Sequence, residues 1–151
     1  MLTGFEVFAD IHPHDNIHFE NSLSYVYGVN KETGNPLPFI PAAHSRHSLR
    51  WVFKGNNLLK EPYITSGVDF VLNQDRFDSF ESRTNGYALF NLGIGTDLLL
   101  GKTKATLFIK SNNLTNRKYY DHLNRLKYLG IYNPGRDVTF GLILPLEWAV
   151  K

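Results

Sequence analysis

The chain has 151 residues, enough for one ordinary domain, and 42% of them are hydrophobic and 14% aromatic. Its formal net charge is only +2, so no strongly basic surface indicates a nucleic-acid-binding protein. It contains no cysteine, which excludes disulfide bonds and cysteine metal sites. No run of about eighteen apolar residues indicates a transmembrane helix.

Seven segments alternate apolar and polar residues with the period of two that predicts β-strands. In the fifth segment, for example, Phe90 and Leu92 lie on one predicted face and Asn91 on the other. No charged residue falls on the apolar face of any segment, where Asn21 and Ser66 are the polar exceptions. The predicted strands comprise residues 3–11, 17–28, 45–54, 63–73, 87–98, 104–111 and 137–146.

The connections between these segments alternate between short and long, and the last connection is about twenty residues long. Alternate connections of an antiparallel meander lie at opposite ends of the sheet, so the three long ones share one end. Transmembrane β-barrels have short turns at one end and long loops at the other, and about 9–11 residues of a tilted strand cross the bilayer core. The mean hydropathy of −0.26 is compatible with a transmembrane β-barrel, because its strands alternate apolar residues that face lipid with polar residues that face the lumen. The sequence therefore predicts an all-β antiparallel meander of about seven strands.

The last long connection begins and ends with two short motifs. The first reads Asn113-Leu114-Thr115-Asn116-Arg117-Lys118-Tyr119, and the second reads Pro134-Gly135-Arg136-Asp137. Together they resemble the C-terminal signature of TonB-dependent outer-membrane receptors, which typically reads N-L-x-N-K-x-Y, a long loop and P-G-R-N. Arg117 stands for the usual Lys and Asp137 for the usual Asn. The resemblance extends upstream through residues 86–92, 36–41 and 4–7, and so covers nearly the whole chain.

The resemblance implies that the chain is the C-terminal portion of a large transmembrane β-barrel of about 22 strands in a Gram-negative outer membrane. Such receptors import a scarce chelated solute, for example a ferric siderophore, haem or another metal complex. The TonB complex supplies the energy through an N-terminal region, and that region, the plug and the earlier strands are absent from this sequence. Met1 opens directly into a predicted strand without a signal peptide, which also indicates a fragment.

The ends of the chain lead to two further expectations. The isolated fragment should self-associate or require detergent and lipid, because both edges of its sheet are left open. The family often ends on an aromatic residue, whereas in this chain Trp148 lies three residues from the end.

The last long connection also holds the candidate ligand-binding residues, Tyr120, Asp121, His122 and Arg125. The connection is basic, and basic residues attract an anionic chelate. For His122 a structural role is the favoured alternative, in which Asp121 or Asn124 fixes the loop by side-chain hydrogen bonds. We further expect the tyrosines of this connection to form a small core of the loop itself; they are Tyr119, Tyr120, Tyr128 and Tyr132.

The sequence contains no G-x-S-x-G, no H-E-x-x-H and no phosphate-binding glycine loop. We therefore expect neither an enzyme nor a resident cofactor or metal site. His12 and His14 bracket Pro13 and are expected in a solvated turn. The alternative fold is a soluble β-sandwich that binds a ligand or partner, in which the apolar faces form a core between two sheets.

Overall fold

A computed structural model describes residues 1–101 and 103–145, with only the backbone described for Leu100. All seven predicted strands are present, and they pair antiparallel in one sheet in chain order, which confirms the meander. The predicted end of the last strand at Leu146 and the aromatic residue Trp148 near the end of the chain lie outside the described residues. No helix in the described part is long and apolar enough to cross a membrane. The strands are β1 Leu2–His14, β2 Ile17–Gly28, β3 His44–Val52, β4 Leu59–Val71, β5 Tyr87–Leu100, β6 Thr103–Asn112 and β7 Asp137–Ile143.

Two strands extend beyond the sequence prediction by three or four residues, and each extension involves an irregular register. Strand β4 begins four residues early because an irregularity between Lys60 and Tyr63 lets it continue along β5, and Glu61 there has a φ of +48°. Strand β1 continues to His14 through a register shift after Ile11. The prediction of a solvated turn around the first two histidines is therefore wrong, and the turn is confined to residues 15–16.

The pairing register places most of the large apolar side chains of all seven strands on one face of the sheet. Residues directly opposite each other share a face, so the row Ile17, Trp51, Ile64, Ile94, Ile109 and Phe140 runs unbroken from β2 to β7. The polar exceptions include Asn21 and Ser66, as predicted, and also His47 and Ser45. The His47 ring lies 2.7 Å from Asn21 Oδ1 and 3.2 Å from Ser45 Oγ, so these polar groups bond to one another.

Nothing in the described part of the chain covers this apolar face. Phe140 is 73% exposed, and the single fully buried apolar residue among those described is the small Ala105. A β-sandwich would bury the face against a second sheet, whereas the described strands form one sheet. The structure therefore shows one bare apolar face and one polar face.

The strand ends are staggered in one direction across the sheet. Strand β3 begins opposite Ser24, four residues before β2 ends at Gly28. Strand β6 pairs with β5 only from Leu92 onward, although β5 begins at Tyr87. At the other end, β4 continues beyond the last β3 pair to reach Leu59. Because of this stagger, the strands are tilted relative to the line that joins their ends. The strands of a closed barrel are tilted relative to the barrel axis in the same way.

Glycines on the polar face lie beneath aromatic rings of neighbouring strands. A Cβ on Gly95 would meet the ring of Tyr63, and a Cβ on Gly141 would meet the ring of Phe108. The guanidinium of Arg50 lies 3.6 Å from the centre of the Tyr63 ring. Cross-strand aromatic–glycine pairs of this kind pin the register of a sheet.

Gly95→Val should therefore destabilise the sheet by about 1–3 kcal/mol, because it displaces the Tyr63 ring. In a Tyr63→Ala background, the same substitution should be neutral or stabilising, since valine favours strands and nothing then occupies the space. Urea unfolding in detergent, followed by tryptophan fluorescence, measures this double-mutant cycle. Equal costs in the two backgrounds would contradict the ring–glycine contact.

Candidate functional site

The three long connections lie at one end of the sheet and pack against one another. They are the first connection (residues 29–43), the second (72–86) and the third (113–136). The Gln74 side-chain amide donates to the carbonyls of Ile40 and Pro41, at 2.9 and 3.1 Å, and joins the second connection to the first. The Lys127 ammonium donates to the carbonyl of Ser82 at 3.2 Å and joins the third to the second. The connections thus form one layer.

Asn113 fixes the start of the third connection. It is 3% exposed and has a φ of +48°, a conformation that asparagine tolerates better than most residues. Its side-chain amide donates to the Arg117 carbonyl at 2.9 Å, and its Oδ1 accepts the Arg117 amide at 2.8 Å. The backbone amides of Asn113 and Leu114 donate to Asn91 Oδ1 and to the Phe90 carbonyl. The connection is therefore bonded both to itself and to β5.

The two halves of the sequence signature meet at the base of this connection. Asn116, with a φ of +52°, accepts the Arg136 amide on its Oδ1 at 3.0 Å. A Cβ on Gly135 would lie 2.6 Å from that oxygen, which explains the glycine. The Arg136 guanidinium donates to the Leu114 carbonyl at 3.4 Å. These signature residues close the loop, and Pro134 beside them lines a groove.

Asp121 and His122, two of the predicted ligand-binding residues, make structural contacts. Asp121 accepts the Leu123 amide at 2.9 Å and the Tyr87 hydroxyl at 3.1 Å. The side chain of His122 is 2% exposed, and its Nδ1 lies 2.9 Å from Thr84 Oγ1. The favoured structural alternative is thus what the structure shows, and contact of these two residues with a solute stays a prediction.

The tyrosines of the third connection form two ring pairs. Tyr119 packs on Tyr87 of β5 with ring centres 4.3 Å apart, and Tyr120 stacks on Tyr132 at 4.4 Å. Tyr128 is 55% exposed and takes no part in either pair, so the predicted tyrosine core forms only partly. Burial, together with the nearby Asp121 carboxylate, raises the pKa of the Tyr119 hydroxyl, which keeps this phenol neutral.

A groove lies between the second and third connections, and we call it the outer groove. Its volume is about 420 Å³, within the usual range of ligand sites. Its charged lining is entirely cationic, and the rings of four tyrosines border it. Of the predicted ligand-binding residues only Tyr120 lines it, whereas the Arg125 guanidinium lies 5.3 Å from the ring centre of Phe39. The charged and aromatic lining is Arg83, Arg117, Lys118, Lys127, Tyr87, Tyr119, Tyr120 and Tyr132.

A second groove, which we call the inner groove, lies between the polar sheet face and the base of the third connection. Its volume is about 460 Å³, and Tyr119 borders both grooves. The Asp69 carboxylate, which lines this groove, accepts a hydrogen bond from the Arg46 guanidinium and another, at 2.7 Å, from the Asn91 side-chain amide. Asn91 in turn accepts the backbone amide of Asn113, so a continuous chain of hydrogen bonds joins the sheet to the loop base.

Sequence reasoning missed the residues of the second connection that complete this site. Thr84 and Glu81 are buried against the third connection, and Arg83 lines the outer groove. They lie in a segment without hydrophobic periodicity, so nothing in the sequence indicated their partners. The cationic character of the third connection was visible, and Arg117, Lys118 and Lys127 do line the groove.

Among the comparisons with known proteins, the comparison with solved structures is informative. No family model matches this chain, and no curated protein matches it. Among solved structures, the chain is similar to one described as the copper transporter OprC, with a TM-score of 0.76 and 22% sequence identity. The match covers 91% of this chain and 22% of that chain, so this sequence spans about a fifth of its length. At this identity the likeness shows that the seven-stranded meander has the fold of a segment of that transporter.

Asn113→Ala should expose the third connection to proteolysis, because it removes two side-chain hydrogen bonds and places alanine at a positive φ. We expect a loss of about 2–3 kcal/mol in the closed loop and a tenfold or greater increase in tryptic cleavage at Lys118 and Lys127. Asn112→Ala is the control, since the exposed side chain of Asn112 donates to the Asp137 carboxylate, outside the third connection. Similar cleavage rates for the two variants would contradict the anchoring role.

Proposed function

We propose that this chain forms part of the wall and the outer loops of a TonB-dependent outer-membrane receptor that imports a scarce chelated solute. The bare apolar sheet face, opposed to a hydrogen-bonded polar face, is the single observation that carries the proposal. The sequence signature supports the family and, with it, the dependence on the TonB complex. The likeness to a copper transporter supports a metal-containing cargo, and ferric siderophores and haem belong to the same class.

The apolar face has the properties of a surface that contacts lipid. Water would have to solvate a continuous sheet of large apolar side chains, whereas monomeric soluble proteins rarely expose contiguous apolar patches of more than a few hundred Å². The strands carry no charge on that face, and a cation at the bilayer midplane costs about 2–4 kcal/mol. With lipid outside, the long connections face the cell exterior and the polar face lines the lumen. The adjoining strands and the plug lie outside this sequence.

The single sheet formed by the described strands does not favour the alternative fold, a soluble β-sandwich. A sandwich needs a second sheet to cover the apolar side chains, and the described strands supply one layer. The proposal also assigns the chain to transport rather than to catalysis, because its polar groups are distributed along a wall and around two grooves.

The outer groove supports an anionic solute. Its cationic side chains stand around paired tyrosine rings, and no carboxylate lines it. Arginine and lysine bind carboxylate and phenolate oxygens through charge-assisted hydrogen bonds, while aromatic rings pack on the flat surfaces of catecholates and porphyrins. In this proposal Tyr120 contacts the solute directly, whereas Asp121, His122 and Arg125 hold the connection in shape.

The lipid-facing wall is tested by a pair of neighbouring substitutions on β7. Phe140→Arg places a cation on the apolar face and should block stable assembly in bilayers, at a cost of about 2–4 kcal/mol. Thr139→Arg places the same cation on the polar face beside Asp137 and should assemble normally. Heat-modifiable gel mobility of the full-length protein refolded into lipid vesicles gives the readout. Normal assembly of both variants, or a detergent-free monodisperse wild-type protein, would overturn the proposal.

The cationic groove is tested by charge reversal at Lys118. Lys118→Glu should weaken binding of an anionic ferric tricatecholate by tenfold or more, which corresponds to about 1.4 kcal/mol. Lys31→Glu is the matched control, because Lys31 is an exposed lysine of the first connection that does not line the groove. Fluorescence quenching of the full-length protein, repeated with haem and with a copper chelate, measures affinity and identifies the solute class. If Lys118→Glu left the binding of the ferric tricatecholate, haem and the copper chelate unchanged, the outer groove would be excluded as the solute site.

A further inference from the structure

The end of the sheet that carries the long connections has a third groove, where β2 extends beyond β3. Strand β3 begins at His44, four residues before the end of β2 is reached. The chain that follows β4 lies across the gap, and the Leu72 amide donates to the Ala43 carbonyl at 2.9 Å. The resulting cavity, which we call the rim groove, has a volume of about 300 Å³ and lies between residues 25–28 and 72–76. Its lining is separate from that of the outer and inner grooves.

The rim groove opens onto the bare apolar face of the sheet. An even number of residues along a regular strand returns to the same face, so Tyr25 and Tyr27 share the face of Ile17. By the same rule Leu72 shares the face of Ile64. Leu72 is 63% exposed, and Tyr25 is 38% exposed. Tyrosines at the end of an apolar wall are typical of the level at which lipid headgroups begin.

Arg76 supplies a fixed cation to this groove. Its guanidinium carbon lies 4.1 Å from the centre of the Tyr27 ring. Its backbone amide donates to Gln74 Oε1 at 3.1 Å, and the Gln74 amide donates to the Ile40 carbonyl at 2.9 Å, which fixes the segment to the first connection. A guanidinium that rests on an aromatic ring keeps the N–H donors at its edge available for an anion.

The charge of Arg76 is not balanced within the groove. Asp75 also lines the groove, but its carboxylate lies 2.5 Å from Nε of Arg83, which lines the outer groove. Arg76 forms no ion pair within the described part of the chain. The rim groove therefore combines one available guanidinium with an apolar wall.

We propose that the rim groove binds the phosphorylated headgroup of a lipid in the outer leaflet of the membrane. The phosphate would accept hydrogen bonds from Arg76, since guanidinium and phosphate form strong charge-assisted pairs. The acyl chains would continue along Tyr25 and Leu72 onto the apolar face. This inference rests on the proposed function, which places lipid against that face and the long connections at the cell exterior.

A lipid fits this groove better than a small soluble anion does. The cation and the apolar wall are contiguous, so an occupant that uses both has an anionic group beside long apolar chains. Free phosphate would meet only Arg76, in competition with water. Basic pockets that adjoin lipid-facing surfaces recognise phosphorylated headgroups in this way.

Native mass spectrometry of the full-length protein in detergent tests the site with lipid A, a diphosphorylated glycolipid, and with the same glycolipid without phosphates. The wild type should bind the phosphorylated form at least fivefold more tightly. Arg76→Gln should lower this preference to less than half and leave binding of the phosphate-free form unchanged. Lys31→Gln is the matched control, because Lys31 is an exposed cation of the first connection outside the groove.

Tyr27 acts in this proposal as a positioning residue for the guanidinium. Tyr27→Phe keeps the ring and should keep the preference for the phosphorylated lipid. Tyr27→Leu keeps an apolar wall but removes the ring, so it should reduce the preference at least twofold. Equal preferences in these two variants would contradict the positioning role of the ring.

The same samples separate a failure of this inference from a failure of the proposed function. Heat-modifiable gel mobility reports whether each variant assembles in lipid vesicles. If the wild type did not assemble, both proposals would fall. If it assembled but Arg76→Gln kept the full preference, or lost both lipids equally, only the rim-groove site would be overturned. Displacement of bound lipid A by millimolar inorganic phosphate would likewise overturn it, since the groove would then be a site for a free anion.

Discussion

One constraint governs the structure. One face of the sheet is apolar, and the described part of the chain leaves that face uncovered. Fully burying a large apolar side chain is worth about 1.5–3 kcal/mol, and here such residues repeat along every strand. The described residues bury almost none of that surface within the chain, since Ala105 is their single fully buried apolar member. The stability of the sheet must therefore come from whatever covers this face. In the proposed function that surrounding is a bilayer, which can contact seven strands at once without a complementary shape.

In the proposed arrangement lipid covers one face, and the other face has to satisfy its polar groups within the protein or with water. The polar side chains do this across strands, as where Asp69 accepts both Arg46 and Asn91. The same need explains the local cluster around His47 on the apolar face, whose ring nitrogens lie within hydrogen-bonding distance of Asn21 and Ser45. A polar group in hydrocarbon is costly unless it has a partner, and these three residues supply partners to one another.

The strands could be predicted from the sequence because period-two alternation reports directly which face of a strand is polar. The same rule should have placed His47 on the apolar face, two residues from Leu49, and it was overlooked because a lone histidine does not disturb the pattern. The ends of β1 and β4 were missed because register shifts extend pairing past Pro13 and Pro62, where proline normally indicates a strand end.

The site could be predicted only in part. The basic third connection and its closing signature were visible, because they lie close together in the sequence. The burial of His122 was not visible, since its partners Glu81 and Thr84 lie about forty residues away in a segment without periodicity. Contacts between irregular loops leave no pattern in a single sequence. The residues predicted to contact a solute were chosen by their chemistry, and one of them, His122, lies in the interior.

The position of Tyr119 suggests how the two grooves work together in the proposed transport. Its ring, paired with Tyr87, borders the outer groove on one side and the inner groove on the other. The phenol stays neutral because its pKa is raised, so it places no negative charge between the grooves. The ring therefore separates the cationic lining of the outer groove from an inner groove whose lining holds Arg46 and Lys110 together with the carboxylates of Asp69 and Asp137. The base of the third connection, anchored through Asn113 to the sheet, fixes the ring at this boundary between the two grooves.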